Sequence, residues 1–443
     1  MASQLNLFRR QVFTSMFFTQ FFGAFNDNIF KQALILVLTY SAAAKLETEV
    51  SLLNNLAALL FILPYFLFSA LAGQIADKYE KSALTGYIKL LEIIIMAVAA
   101  VGFIYEIYSL LFFCLFMMGT QSTFFGPIKY AYLPETMRHD ELVAANGLFQ
   151  TSTSLAILTG MMTAGVLTQL YFSEYWLATV TIVVAVLGYL SARQIPKTKV
   201  HASDLSINWN IAGTSFELLK YLYHLPLLFF ITLGNSWFWF YGATFLTQTP
   251  EVTKVLLYAD ESVVIFLLTL FSVGIATGSL LCKTLTKNQI SFRLLPYGLL
   301  GLSVFAMALY FSLNQLSLAL PIWPYTVMDI IHQSQVWPVF IALFLLGFSG
   351  GVYIVPLYTA MQAYAPIDYR SRIVGANNIL NAIFMVGSAI FSIIILAVIK
   401  LSLAQLFAIT AILNAIFGLF LCLKLKKYDR TLPIHTDETA ILP

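Results

Sequence analysis

Charge is what this chain has least of. Only 10% of its 443 residues are Asp, Glu, Lys or Arg, where soluble domains carry about 25%. Its net charge of +3 is too small to recruit nucleic acid, and no single basic patch holds it. Cysteine is nearly absent as well. Cys114, Cys282 and Cys422 sit in or at the ends of hydrophobic runs without paired spacing, which supports neither a disulfide framework nor a zinc site. No His/Asp, Ser/His or metal-spaced cluster occurs in any loop, which argues against a membrane enzyme, and no cofactor is expected. A cleavable signal is missing too: Arg9 and Arg10 lead into a run too long for a signal core, so the first span is expected to serve as an uncleaved anchor.

What fills the chain instead is apolar. Hydrophobic residues make up 60% and aromatics 15%, with a mean hydropathy of +0.83, the composition of a polytopic membrane protein. A span needs about 20 mostly apolar residues. Such runs number about twelve, near 12–40, 51–76, 83–105, 108–128, 142–171, 174–193, 225–248, 261–282, 292–313, 336–360, 373–399 and 403–424. With both termini inside, Lys and Arg crowd the cytoplasmic breaks, from Arg9 and Arg10 to Lys426, Lys427 and Arg430. The opposite side holds Lys45, Lys254 and Lys400.

The widest cytoplasmic break, 194–224, contains Pro196, and Ser215 to His224 within it reads as a short amphipathic helix on the membrane surface. It separates a six-span unit at 1–193 from another at 225–424, followed by a tail at 425–443. The two units echo each other. Gly73-Gln-Ile-Ala-Asp77-Lys78 follows the second span and Gly278-Ser-Leu-Leu-Cys282-Lys283 the eighth, one frame with the Asp lost. Gly126-Pro127, Tyr130, Arg138 and Ala145-Asn146-Gly147 follow the fourth; Val355-Pro356, Tyr358, Arg372 and Ala376-Asn377-Asn378 follow the tenth. Matching echoes at matching places indicate a duplicated six-helix unit. The expected fold is an all-α membrane protein of twelve transmembrane helices in two pseudo-symmetric six-helix bundles, both termini cytoplasmic.

The stretch from Gln20 to Gln32 breaks the apolar pattern of the first span with Asn26, Asp27, Asn28 and Lys31. Asp27 and Lys31 are i,i+4, one turn apart on one face, and Gln20 and Gly23 continue that stripe. An Asp or Lys at a helix centre costs roughly 2.5 to 3.5 kcal/mol on insertion scales, so such groups face a bundle interior or a wet cavity. They either line a substrate path or form a structural ion pair between helices. Lys89 and Glu92, i,i+3 near the inner end of the third span, read as a structural or snorkelling pair.

Gly73-Gln-Ile-Ala-Asp77-Lys78-Tyr-Glu80-Lys81 resembles the loop motif of the major facilitator superfamily, with Glu80 where the second Gly usually stands. By that resemblance Gly73 permits close helix crossing and Asp77 belongs to a cytoplasmic latch, with Lys78, Lys129, Arg138 and Arg372 as further gating residues. The segment from Phe22 to Lys31, Phe125-Gly-Pro-Ile-Lys129-Tyr130, Ala145-Asn146-Gly147 and Gly350-Gly351-Val-Tyr-Ile-Val-Pro356-Leu357 resemble the lysophospholipid transporter branch. Ser236-Trp237-Phe238-Trp239-Phe240-Tyr241-Gly242-Ala243 is similar to the transporter portion fused, in bacteria, to acyl-ACP synthetase and glycerophospholipid acyltransferase modules. Two departures stand out. The arginine that standalone members carry in the seventh span has no equivalent around Leu246, which leaves Lys31 as the cavity cation. The acyltransferase signature His-x-x-x-x-Asp is missing, so an acyltransferase partner would be a separate protein.

The resemblance implies an inner-membrane flippase acting as a monomer by alternating access; the same fold would also carry another amphipathic cargo, such as a siderophore or drug. A lysophospholipid needs polar groups for its head and an apolar groove for its tail. Lys31 meets phosphate as a point charge, and Asp27 neutralises Lys31 or meets an amine. Asn26, Asn28, Gln121, Asn146, Gln150, Asn377 and Asn381 offer neutral hydrogen bonds, or serve as glue between helices. Trp237, Trp239 and Tyr241 are candidates for the tail groove, or for interfacial packing.

Overall fold

The computed structural model describes residues 2–39, 50–287 and 289–429. The expectations for Lys45 and for the tail from Arg430 onward fall outside the described residues. The long helices are α1 (Gln11–Val37), α2 (Val50–Lys78), α3 (Lys81–Ile104), α4 (Tyr108–Thr136), α5 (Leu142–Thr168), α6 (Ser173–Ala192), α7 (Ile211–Tyr223), α8 (Pro226–Glu251), α9 (Glu261–Thr286), α10 (Leu295–Asn314), α11 (Trp337–Tyr364), α12 (Arg370–Ile393) and α13 (Leu403–Asp429). Helix is what this composition demands, because a chain in lipid must satisfy its backbone hydrogen bonds internally.

Among the described residues ten helices are long and apolar enough to cross a membrane, or eleven if α7 and Pro226–Leu256, bent by 114° at their junction, count as one span. Helix α1 is not among the ten; Gln20, Asn26, Asp27, Asn28, Lys31 and Gln32 interrupt its apolar run. Several boundaries differ from the sequence expectation. Pro127 and Pro134 lie inside α4, which continues to Thr136, so Lys129 is a helical residue and not part of a cytoplasmic break. Pro356 likewise lies inside α11. Proline removes one i→i−4 bond, but neighbouring helices let a membrane helix run through it.

Helix α1 packs on α5 and α6, α2 on α4, and α3 on α4 and α6; α9 and α10 pack on α11, α10 on α13, and α8 on α12. One large apolar cluster is drawn almost entirely from residues 218–425, adding Ala70 and Val143. Two smaller clusters come mainly from residues 7–195. The two sets meet where α2 lies on α12 and α5 on α9. Glycine makes those crossings close. A Cβ at Gly73 would stand 2.8 Å from Arg372 Cα, and one at Gly147 would stand 2.6 Å from the Ser279 carbonyl oxygen.

The segment between α6 and α7 is stitched to the first set. Glu80 caps α3 through Ser82 and Ala83 N–H and accepts from Thr198 N at 3.0 Å; Gln74 Oε1 accepts from Asn208 N at 2.9 Å. Helix α7 buries Thr214, Leu218 and Leu222 against α2 and α12, an amphipathic helix as expected, though starting earlier, at Ile211.

Candidate functional site

Asp27 projects from α1 onto α4. Its Oδ2 accepts from Ser122 Oγ at 2.6 Å, while Oδ1 has no hydrogen-bond partner among the described residues. The ammonium of Lys31 lies 5.4 Å above the Phe61 ring. Although one turn apart and both half-buried, the two charges do not close into a hydrogen-bonded ion pair. Mutual neutralisation, expected from the i,i+4 spacing, gives way to Ser122 on one side and an aromatic face on the other. Cation–π contact of this kind is worth about 0.5–2 kcal/mol, rising as water is excluded.

Beside them the Lys89–Glu92 pair, expected as structural or snorkelling, sits in a buried ionic network whose links to Asn26 and Gln121 the spacing did not reveal. Lys89 Nζ donates to Glu92 Oε2 at 2.6 Å, with both side chains 1% exposed, so the pair does not snorkel. Asn26 Nδ2 donates to Glu92 Oε1 at 2.9 Å and Gln121 Nε2 to Oε2 at 3.0 Å. Asn26 and Gln121 therefore face Glu92 and not a cavity. Asn28 donates to the Ala24 carbonyl in its own helix at 2.7 Å, and Gln20 donates to Thr153 at 2.6 Å. The Phe125 ring sits under two ammoniums, Lys89 at 4.9 Å and Lys129 at 6.0 Å. Lys129 also lies 4.9 Å from the Tyr130 ring. Its place, two turns from Ser122 along α4, is between the charged cluster and the seam.

The opposing wall is uncharged. Asn235 donates to Asn377 Oδ1 at 3.0 Å, and Ser236 Oγ lies 2.9 Å from the Asn381 amide. Trp239 Nε1 donates to the Tyr358 hydroxyl at 3.2 Å, and Tyr358 stacks on Tyr130 across the seam at 4.7 Å and 7°. Gln150 joins Tyr130, Asn146, Phe149, Val355 and Tyr358 around a narrow cleft there. Trp237 and Tyr241 point elsewhere. Trp237 donates to Asn414 at 2.8 Å between the Phe240 and Phe417 rings, and Tyr241 donates to the Leu302 carbonyl at 2.7 Å. Both are buried, packing helices together rather than presenting a groove. Asn146 is likewise spoken for: it exchanges two hydrogen bonds with Gln362, 2.8 and 2.9 Å, across the seam.

On the face carrying the α6–α7 segment, Asp77 bridges the two sets. Oδ1 accepts Ser371 N–H at 2.9 Å, and Oδ2 accepts Arg372 N–H at 3.2 Å and Nε at 3.0 Å. A carboxylate at the first turn of α12 satisfies orphan N–H groups and complements the helix dipole. Gly73 makes the approach, and Arg372 stacks on Tyr369 at 3.5 Å. Lys78 lies against Tyr79 at 5.7 Å, and exposed Arg138 pairs with Asp140 in its own loop at 3.2 Å, so neither bridges the two sets through these contacts. Gln4 adds a tie at the same face, donating to the Leu280 carbonyl at 3.0 Å.

The family model described as Major Facilitator Superfamily matches residues 16–383. The chain belongs to that superfamily. This major facilitator is thus a multi-pass membrane transporter rather than an enzyme. It is 27% identical over 370 residues to a lysophospholipid transporter LplT of Cronobacter sakazakii, covering 81% of each chain. It is 27% identical over 349 residues to that of Photorhabdus laumondii, covering 78% of each. In fold it is similar to the human organic anion transporter MFSD10, with a TM-score of 0.74, 14% identity and coverage of 93% of this chain and 99% of that one. A bacterial homologue of the iron transporter ferroportin in an outward-facing state gives 0.65, 12%, 95% and 99%.

Proposed function

We propose that the protein is a lysophospholipid carrier of the inner membrane working by alternating access. The observation that carries the reading is Asp27, a half-buried carboxylate with one oxygen unpartnered among the described residues, one turn from an ammonium with which it forms no hydrogen-bonded pair. A phosphate would meet Lys31 and Lys129 as point charges, and an amine would meet Asp27. Trp239, Gln150 and Asn381 on and beside the uncharged wall would contact the neutral parts of the head. The names of the similar bacterial transporters supply the substrate class.

In this reading the chain has twelve spans with both termini cytoplasmic, halves at 1–193 and 225–424, a linker at 194–224 and a tail from 425. The Lys- and Arg-rich latch face is then cytoplasmic. The halves are joined there through Asp77–Arg372 and Asn146–Gln362, which supports a state open to the outer leaflet. The carrier acts as a monomer and hands its cargo to a separate acyltransferase.

Uptake of radiolabelled lysophosphatidylethanolamine by proteoliposomes tests the site. Asp27→Ala and Lys31→Ala abolish uptake while the protein still inserts and elutes as a monodisperse species. Normal uptake in both variants overturns the assignment.

A further inference from the structure

Lys89 and Glu92 stand outside the proposed binding wall, and a buried ion pair is weak evidence of a stabilising role. Replacing a buried ion pair with well-packed neutral side chains is often neutral or stabilising, so the pair calls for another reason. Its contacts supply one. Glu92 Oε1 holds Asn26, the residue before Asp27 on α1. Glu92 Oε2 holds Gln121, the residue before Ser122 on α4, and Ser122 is the donor to Asp27. Ser122 has one hydroxyl proton, given to Asp27 at 2.6 Å with Gln121 Oε1 3.1 Å away, so Lys89 and Glu92 reach Asp27 through an anchor on the residues beside it and beside its donor. Space is reserved for it: a Cβ at Gly23 would overlap Lys89 Nζ.

We propose that Lys89 and Glu92 are positioning residues for Asp27. One carboxylate from α3 pins α1 and α4 on either side of Asp27, which holds Oδ2 on Ser122 and leaves Oδ1 free for substrate. Lys89 balances the charge and fixes the Glu92 rotamer. The inference rests on the reading of Asp27 as a headgroup contact. It extends the transport machinery to a third helix that touches no substrate.

The test is transport kinetics of the full-length chain in proteoliposomes, with lysophosphatidylethanolamine as probe. Lys89→Met with Glu92→Met removes the acceptor for both arms. It raises KM about tenfold, with Vmax and melting temperature close to those of the unaltered protein. Lys89→Met with Glu92→Gln keeps an oxygen that accepts from one arm and an N–H that donates to the other once that arm's amide turns over, and KM returns to within about twofold. A purely structural role would not be rescued this way without a change in melting temperature. In an Asp27→Asn background the double Met substitution adds no further rise, since the pair acts through Asp27. An unaltered KM in the double Met variant, or a full tenfold rise on top of Asp27→Asn, overturns the proposal. Should the double Met protein fail to reach the membrane, Gln121→Leu cuts one arm alone: a raised KM supports the pinning and an unaltered one overturns it. An impaired Asp27→Asn beside an unaltered double Met variant removes this inference only. A normal Asp27→Asn removes the binding site and the inference together.

Discussion

Asp77 and Arg372 meet through two hydrogen bonds, one to the guanidinium Nε at 3.0 Å and one to the backbone N–H at 3.2 Å. The carboxylate therefore binds a side chain and a helix terminus at once. Charge-assisted bonds are worth about 1.5–3 kcal/mol each when shielded, and under the proposed alternating-access cycle these would exist only while the latch face is closed.

Asp77→Asn keeps the size and one acceptor but removes the charge. Turnover of lysophosphatidylethanolamine should fall severalfold while KM stays nearly constant, because the closed latch face loses stability relative to the open one. Initial rates over a substrate series check this; a pure rise in KM would contradict the role.

The Asn146–Gln362 exchange makes a second seam contact of a different kind. Leu at position 146 strands the Gln362 amide in the closed state at a cost of about 1–3 kcal/mol. Spin labels at Tyr79 and Ile367, exposed residues flanking the seam, should report a longer mean distance in Asn146→Leu. Leu at both 146 and 362 should restore the shorter one.

Gly147→Leu puts a side chain where the Ser279 carbonyl stands. The same label pair should then show no closed population, with transport lost and the helix content of the protein little changed.

Trp237→Phe tests the correction of the tail-groove expectation. The indole donates to Asn414 inside the helix packing. The variant should lower stability by the cost of a lost buried bond, about 1 kcal/mol, seen as a reduced melting temperature, and leave the dependence of KM on acyl length untouched.

Most of the spans were legible because lipid imposes length and hydrophobicity, ten or eleven of the twelve expected qualifying among the described residues, and Asp77 was singled out because Gly73 to Lys81 resembles a family motif. Lys129 was misplaced because proline reads as a break in water, whereas helix α4 carries Pro127 without ending. The direction of Trp237 was not readable, since an apolar helix looks alike whether it faces a groove or a neighbour. Asn146 and Gln362 are 216 positions apart, and no local pattern links them. For Lys89 and Glu92 the spacing was visible but the burial was not. A signal did exist: Asn26, Gln121 and Glu92 are polar interruptions in three spans that the fold brings to one point.

The position corresponding to Asp77 in the second half is Cys282, buried with its Sγ turned toward the Gly351 carbonyl of its own half at 3.7 Å. One edge of the interface is thus fastened by an ionic clasp, and the other by close-fitting glycine and carbonyl surfaces with neutral hydrogen bonds from Gln4 and Thr151. The two halves would part unevenly, like a door sprung on one jamb. Removing the Asp77 charge would loosen the sprung side and leave the other indifferent, whereas dissolved salt would do little to a pair whose side chains are 12% and 3% exposed.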